Sequence, residues 1–102
     1  DSIEAVIKKE KKPFFFSEAG CMSIDTAPLR PNNWVLAGKL SLEAQARYYE
    51  TMFNHCRQRP FVEGFAIWEW ASHLYDFGDG IKDKTYAVYG KPAARVIATA
   101  YR

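Results

Sequence analysis

Long apolar runs are missing from this sequence. Nothing approaches the roughly 18 residues that a membrane span needs, and the opening residues do not read as a secretion signal. No membrane partner is expected. Charge of one sign is missing too: 14 Lys and Arg stand against 12 Asp and Glu, for a net +2 scattered along the chain. That leaves neither the basic face that announces nucleic acid nor an acidic solvating tail, so no nucleic-acid partner is expected. Cysteine is scarce, and two residues are too few for a disulfide framework or a zinc site of paired Cys/His ligands. Redox compartment and localisation stay open.

What is plentiful is aromatic surface. Phe, Tyr and Trp make up 16% of the 102 residues, within an otherwise ordinary balance of 48% apolar and 25% charged. A single folded domain is expected, with flat side chains that either fill a core or line a binding surface. Asp1 has no initiator Met before it, and Ser2 to Lys9 already read as the inside of a structured segment. A fragment or a processed chain is expected.

Ile3, Val6 and Ile7 recur at helical spacing, with Asp1 and Glu4 as a possible capping pair and lysines between Lys8 and Lys12 at the end. They predict a helix over 2–11. Pro13 interrupts it, and Phe14 to Ala19 is a short apolar run closed by Gly20, suited to a parallel strand buried on both faces. Residues 21–40 hold Pro28, Pro31, Asn32, Asn33 and Gly38 without a period, which predicts a long loop. From Ser41 as N-cap, Leu42, Ala46, Tyr49, Phe53 and Cys56 repeat in steps of four and three, predicting a helix over 42–58. After Pro60, Val62 to Trp70 predicts a second strand. Alternation puts Gly64, Ala66, Trp68 and Trp70 on one face and Phe65, Ile67 and Glu69 on the other. A second long loop spans 71–90, and Pro92 opens a last helix with Val96, Ile97, Ala100 and Tyr101 along one stripe.

Helices alternating with strands give an α/β fold with a parallel sheet, in which both strands end at one edge. Ligand sites of such sheets lie there, in the loops that follow the strands. Glu18, Trp34, Trp68, Trp70 and His73 all map to that edge. Alternation places Glu18 with Phe14 and Phe16, where a carboxylate is costly unless it is paired or used. It is either a salt-bridged strand end or a rigidly held nucleophile or base. Trp68 and Trp70 are either core or an indole wall against which the C–H face of a sugar could pack.

Phe14-Phe15-Phe16-Ser17-Glu18-Ala19-Gly20 resembles the seventh strand of clan A glycoside hydrolases, where an apolar run leads to Ser or Thr, the nucleophilic Glu, a small or apolar residue and Gly. Gly64-Phe65-Ala66-Ile67-Trp68-Glu69-Trp70 is similar to the eighth strand, and Val88-Tyr89-Gly90-Lys91-Pro92-Ala93 to the stretch before the last helix, in the β-mannanase-like branch. The resemblance implies that residues 1–102 are the C-terminal portion of a (β/α)8 TIM barrel, incomplete as given. It implies a retaining glycoside hydrolase of a mannan-like β-linked polysaccharide. Glu18 would be the nucleophile, and Trp68 or Trp70 the aromatic floor beside the cleaved bond. Trp34 would add a further sugar contact, and His73 could touch substrate from its loop. No cofactor is called for.

A whole barrel takes roughly 250 residues, and the general acid of the clan stands on its fourth strand, outside this chain. Retaining hydrolysis needs two carboxyl groups about 5 to 5.5 Å apart. Strand alternation turns Glu69 away from Trp68, so the 102-residue chain is expected to be inactive alone. Phe14, Phe16, Ala66 and Trp68 would face the barrel interior, and the rest of the barrel or a second copy must cover that surface. The alternative is a non-catalytic carbohydrate-binding or interaction module of barrel-like architecture. Asp76, Asp79 and Asp83 fit no calcium loop, and no metal is expected. Cys21 and Cys56 should lie of order 20 Å apart at 1.5 Å per helical residue, so no disulfide between them is expected.

Overall fold

A computed structural model describes residues 2–33, 35, 37–70 and 75–101. Helix α1 spans Ser2–Glu10, strand β1 Phe14–Ala19, helix α2 Leu42–Arg57, strand β2 Val62–Ile67 and helix α3 Pro92–Ala100, with short 3-10 helices at Ala27–Leu29 and Phe77–Lys82. The order is the predicted one. α1 carries a Glu4–Lys8 ion pair at 3.3 Å one turn apart, while the Asp1 half of the expected capping pair lies outside the described residues. Ser41 caps α2 by accepting a hydrogen bond from the Ala44 amide at 3.1 Å, which satisfies one of the amides a helix start leaves unpaired. Pro92 occupies the first turn of α3, as its missing N–H permits.

β1 and β2 pair in parallel through the α2 crossover. Phe16 stands beside Phe65 and Ala19 beside Ile67, and all four belong to the apolar layer beneath the helices, with Tyr49, Phe53, Val88, Ala93 and Ile97. The Phe53 and Phe65 rings meet at 4.8 Å, and Tyr101 adds an edge-on contact to Phe53 at 5.6 Å. Two corrections to the alternation follow. Between Phe16 and Ala19 the register shifts, so β1 carries one more residue than β2 over this stretch. That bulge resets the parity. Phe16 and Ala19 both face the helices, and Phe14 stays with Phe16 at a 4.8 Å ring contact. Phe14 and Phe16 therefore leave the barrel-interior face predicted for them, Glu18 parts from them to line the open side, and the phenyl ring left uncovered there is that of Phe15, 54% exposed.

The second correction concerns the end of β2. The strand stops at Ile67 rather than Trp70, and the Trp68–Glu69 peptide is cis. Strand alternation ends with Ile67 and does not govern Glu69 and Trp70. One more ladder bond, from the Trp68 amide to the Ala19 carbonyl at 2.8 Å, closes the sheet at its carboxyl edge.

Candidate active site

Each strand hands the chain to a loop, and the two loops are locked to each other. The first folds back on itself: Asp25 N–H donates to the Lys39 carbonyl at 2.9 Å, and Ile24 bridges Leu40. Ser23 N–H then reaches the Thr85 carbonyl in the second loop at 3.3 Å. Beneath this junction the Lys91 ammonium, 3% exposed, donates to Asp83 Oδ2 at 2.8 Å, Ser23 Oγ at 3.1 Å and the Thr85 carbonyl at 3.2 Å. All three of its protons have acceptors, which is what allows the charge to be buried. Desolvation pushes the Asp83 carboxyl up, but the hydrogen bonds from Lys91 and Thr85 and the Lys91 charge outweigh it and hold Asp83 below its ordinary value.

Helix α2 supports the same edge from below. Gln45, fully buried, points its Nε2 at the carbonyls of Cys21 at 2.9 Å, Tyr86 at 3.3 Å and Ala87 at 3.4 Å. The Tyr49 hydroxyl donates to the Trp68 carbonyl at 3.2 Å. Gly20 lets that carbonyl come close, since a Cβ at position 20 would stand 1.9 Å from it.

On this frame opens a cleft of about 510 Å³, lined by Glu18, Ala19, Gly20, Pro31, Asn32, Tyr48, Trp68, Glu69 and Tyr86. The volume is that of a small-ligand site. Glu18 and Trp68 are brought together, one from each strand end, as the sequence predicts. Trp70 is not among the lining residues; its ring lies edge-on to Tyr89 at 6.3 Å. Trp34 and His73 lie outside the described residues. Glu69 is a correction, for it shares the cleft with Trp68.

Tyr48 and Tyr86 are lining residues that strand and helix patterns pass over. Burial raises both phenols above their ordinary value, and the Glu18 carboxylate adds to the rise at Tyr86, so both stay protonated donors at neutral pH. The Tyr86 hydroxyl is spent on the Pro31 carbonyl at 2.6 Å, tying the cleft wall to the first loop. No sequence signal separates Tyr86 from Tyr75, Phe77 and Tyr89 in the same loop. Cys21, next to this wall, is fully buried, and burial pushes its thiol up to about 12. It is a packed thiol, not a nucleophile. Cys21 and Cys56 are both free. Among the described residues no three His, Cys, Asp or Glu side chains cluster as a metal site, and no helix is long and apolar enough to cross a membrane.

Two parallel strands flanked by helices, with a carboxylate and an indole at their carboxyl edge, are part of a glycoside hydrolase TIM barrel. Residues 1–91 match the model of Glycoside Hydrolase Family 113, and the chain belongs to that family. Among solved structures, it is similar to a GH113 β-1,4-mannanase at 50% identity and a TM-score of 0.95, over 99% of this chain and 33% of that one. A complex structure of a GH113 β-1,4-mannanase matches at 49% identity and 0.93, over 99% of this chain and 33% of the other. The GH113 β-mannanase AaManA from Alicyclobacillus acidocaldarius, in complex with ManMIm, matches at 36% identity and 0.91, over 98% and 32%. This chain thus spans about a third of the length of the mannanases it resembles. No curated protein matches it.

Proposed function

We propose that residues 1–102 form the C-terminal part of a retaining glycoside hydrolase barrel that cleaves a β-linked mannan, with Glu18 as nucleophile. The observation that carries this reading is the meeting of Glu18 and Trp68 in one cleft at the carboxyl edge of the sheet. The β-mannanase neighbours supply the substrate class. Glu18 is exposed at the cleft and stands between Phe16 and Ala19, both paired to β2, so the backbone that presents the carboxylate is set before substrate arrives. Its oxygen attacks the anomeric carbon as the glycosidic bond breaks, and the leaving oxygen takes a proton from an acid elsewhere in the barrel. Water, deprotonated by the conjugate base of that acid, then releases the sugar and frees Glu18.

Trp68, 47% exposed, offers an indole face for the C–H side of the sugar beside the cleaved bond. Trp34, Trp70 and His73 are proposed as further substrate contacts. The remainder of the barrel, or a second copy, covers the open sheet face around Phe15.

The test compares wild type and Glu18→Ala in the complete protein on β-mannan and β-glucan. The expected result is preference for mannan in wild type and a loss on the order of 10⁴- to 10⁶-fold in kcat for the variant. Equal activity in the two proteins would remove Glu18 from the mechanism. Mannan binding without hydrolysis in wild type would favour a binding module instead.

A further inference from the structure

The cleft holds a second carboxylate whose role the nucleophile does not explain. Glu69 leaves β2 two residues past its last strand residue and lines the same wall as Glu18, Trp68 and Tyr86. Among the described residues no Lys, Arg or His lines this cleft, and none forms an ion pair with either glutamate. An ionised carboxylate accepts hydrogen bonds and donates none. Beside an indole face, with no cation among the described residues to neutralise it, its complement is a group that presents O–H donors at the edge of an apolar ring face.

The backbone beneath Glu69 is fixed rather than free. Its amide donates to the Tyr86 carbonyl at 3.3 Å. That carbonyl is also one of the three at which the buried Gln45 Nε2 points, so the strand exit, the Tyr86 wall and α2 meet at one oxygen. The preceding residue is held in the same way, by Trp68 N–H to the Ala19 carbonyl and by the Tyr49 hydroxyl to the Trp68 carbonyl. A carboxylate on so constrained a backbone is suited to read the position of a hydroxyl, because little conformational freedom remains to be lost on binding.

We propose that Glu69 is a specificity residue of this site: it accepts hydrogen bonds from ring hydroxyls of the neutral pyranose that rests on Trp68, and so distinguishes that sugar from analogues lacking one hydroxyl. The inference rests on the reading of the cleft as the glycosidase site. Glu69 is not the missing general acid, and its loss leaves covalent chemistry at Glu18 in place.

The experiment uses the complete protein and aryl oligomannosides in which the sugar bearing the aryl group lacks one ring hydroxyl at a time, with Glu69→Ala, Glu69→Gln and Glu18→Ala. Wild type should favour the intact substrate over at least one deoxy analogue by roughly tenfold to a hundredfold in kcat/KM, the range of one hydrogen bond to a charged group. Glu69→Ala should bring that ratio close to one, and Glu69→Gln, which keeps one acceptor oxygen, should restore part of it. A general loss of fold would lower rates on all substrates together and leave the ratio intact. If every deoxy ratio is the same in Glu69→Ala as in wild type while Glu18→Ala is inactive, the role of Glu69 is overturned and the nucleophile stands. An active Glu18→Ala would instead overturn the reading beneath it.

Discussion

Behind the sheet, the chain is held by one large apolar layer; in front of it, a smaller apolar cluster is supplemented by buried polar bonds. The helix side is a layer of Phe16, Tyr49, Phe53, Phe65, Val88 and Ile97 in which position along a strand or helix is set by shape and area. The cleft side has a smaller apolar cluster, Cys21, Ile24 and Ala27 with Met22 and Tyr48, and ring contacts of Trp70, Tyr75 and Phe77 with Tyr89. It also relies on Lys91, Gln45 and Tyr49, which reach the carbonyls and carboxylate of the two loops over the short distances given above. Apolar packing is non-directional, whereas a hydrogen bond weakens steeply as its angle departs from linear. The division follows the work each side does: the back supplies stability, and the front fixes where Glu18, Trp68 and Glu69 stand.

The sharpest way to break this contrast is to damage each side separately in the complete protein. Phe65→Ala removes a buried ring that packs on Phe53 and should lower unfolding free energy by about 3–5 kcal/mol. Measured at a temperature where the variant is folded, its kcat/KM should stay near wild type. On the front, Lys91→Met strands Asp83 beside the loop junction and should cost about 3 kcal/mol. Its activity should fall by more than the unfolded fraction explains. Adding Asp83→Leu to it should restore much of the stability, since removing both charges of a buried pair is far milder than removing one. Chemical denaturation together with activity assays of the folded fraction reads both effects.

Gly20→Ala places a methyl against the Trp68 carbonyl and should cost about 1–3 kcal/mol, with a larger loss in substrate affinity than Phe65→Ala at equal stability. The Lys91–Asp83 pair also sets a pH limb. Because Asp83 titrates below its ordinary value in the folded state, its contribution is full above the unfolded carboxylate value of about 3.9 and is lost as pH falls through the depressed folded value. Asp83→Asn should flatten that acid limb in a pH series of thermal melts. The smallest expected effect is that of Tyr49→Phe, about 1 kcal/mol for one hydrogen bond.

The back of the molecule was legible in the sequence because it is built from periodic apolar residues. Tyr49, Phe53 and Cys56 marked the core face of α2 at helical spacing, Ser41 and Pro92 marked helix starts, and the run from Phe14 to Ala19 gave β1 to the residue. The front was legible only where a residue type announced itself. Glu18 at a strand end and Trp68 at the next stand in the same cleft, but Phe14 and Phe16, expected on the face of Glu18, lie on the opposite one, because one extra residue between Phe16 and Ala19 leaves no mark in the apolar pattern. Glu69 was turned away by an alternation carried three residues past the true end of β2. Gln45 and Lys91 were overlooked because polar residues on a helix and at a helix start read as solvent-facing, and only their long-range partners show that they are buried.

The central claim is that Glu18 forms a covalent bond to sugar. Incubating the complete protein with a 2-fluoro-mannosyl fluoride, which slows release of the glycosyl-enzyme, and sequencing the labelled peptide by mass spectrometry tests it most directly. The account predicts one added sugar, on Glu18. A label on any other residue, or mannan hydrolysis with inversion at the anomeric carbon, would contradict it.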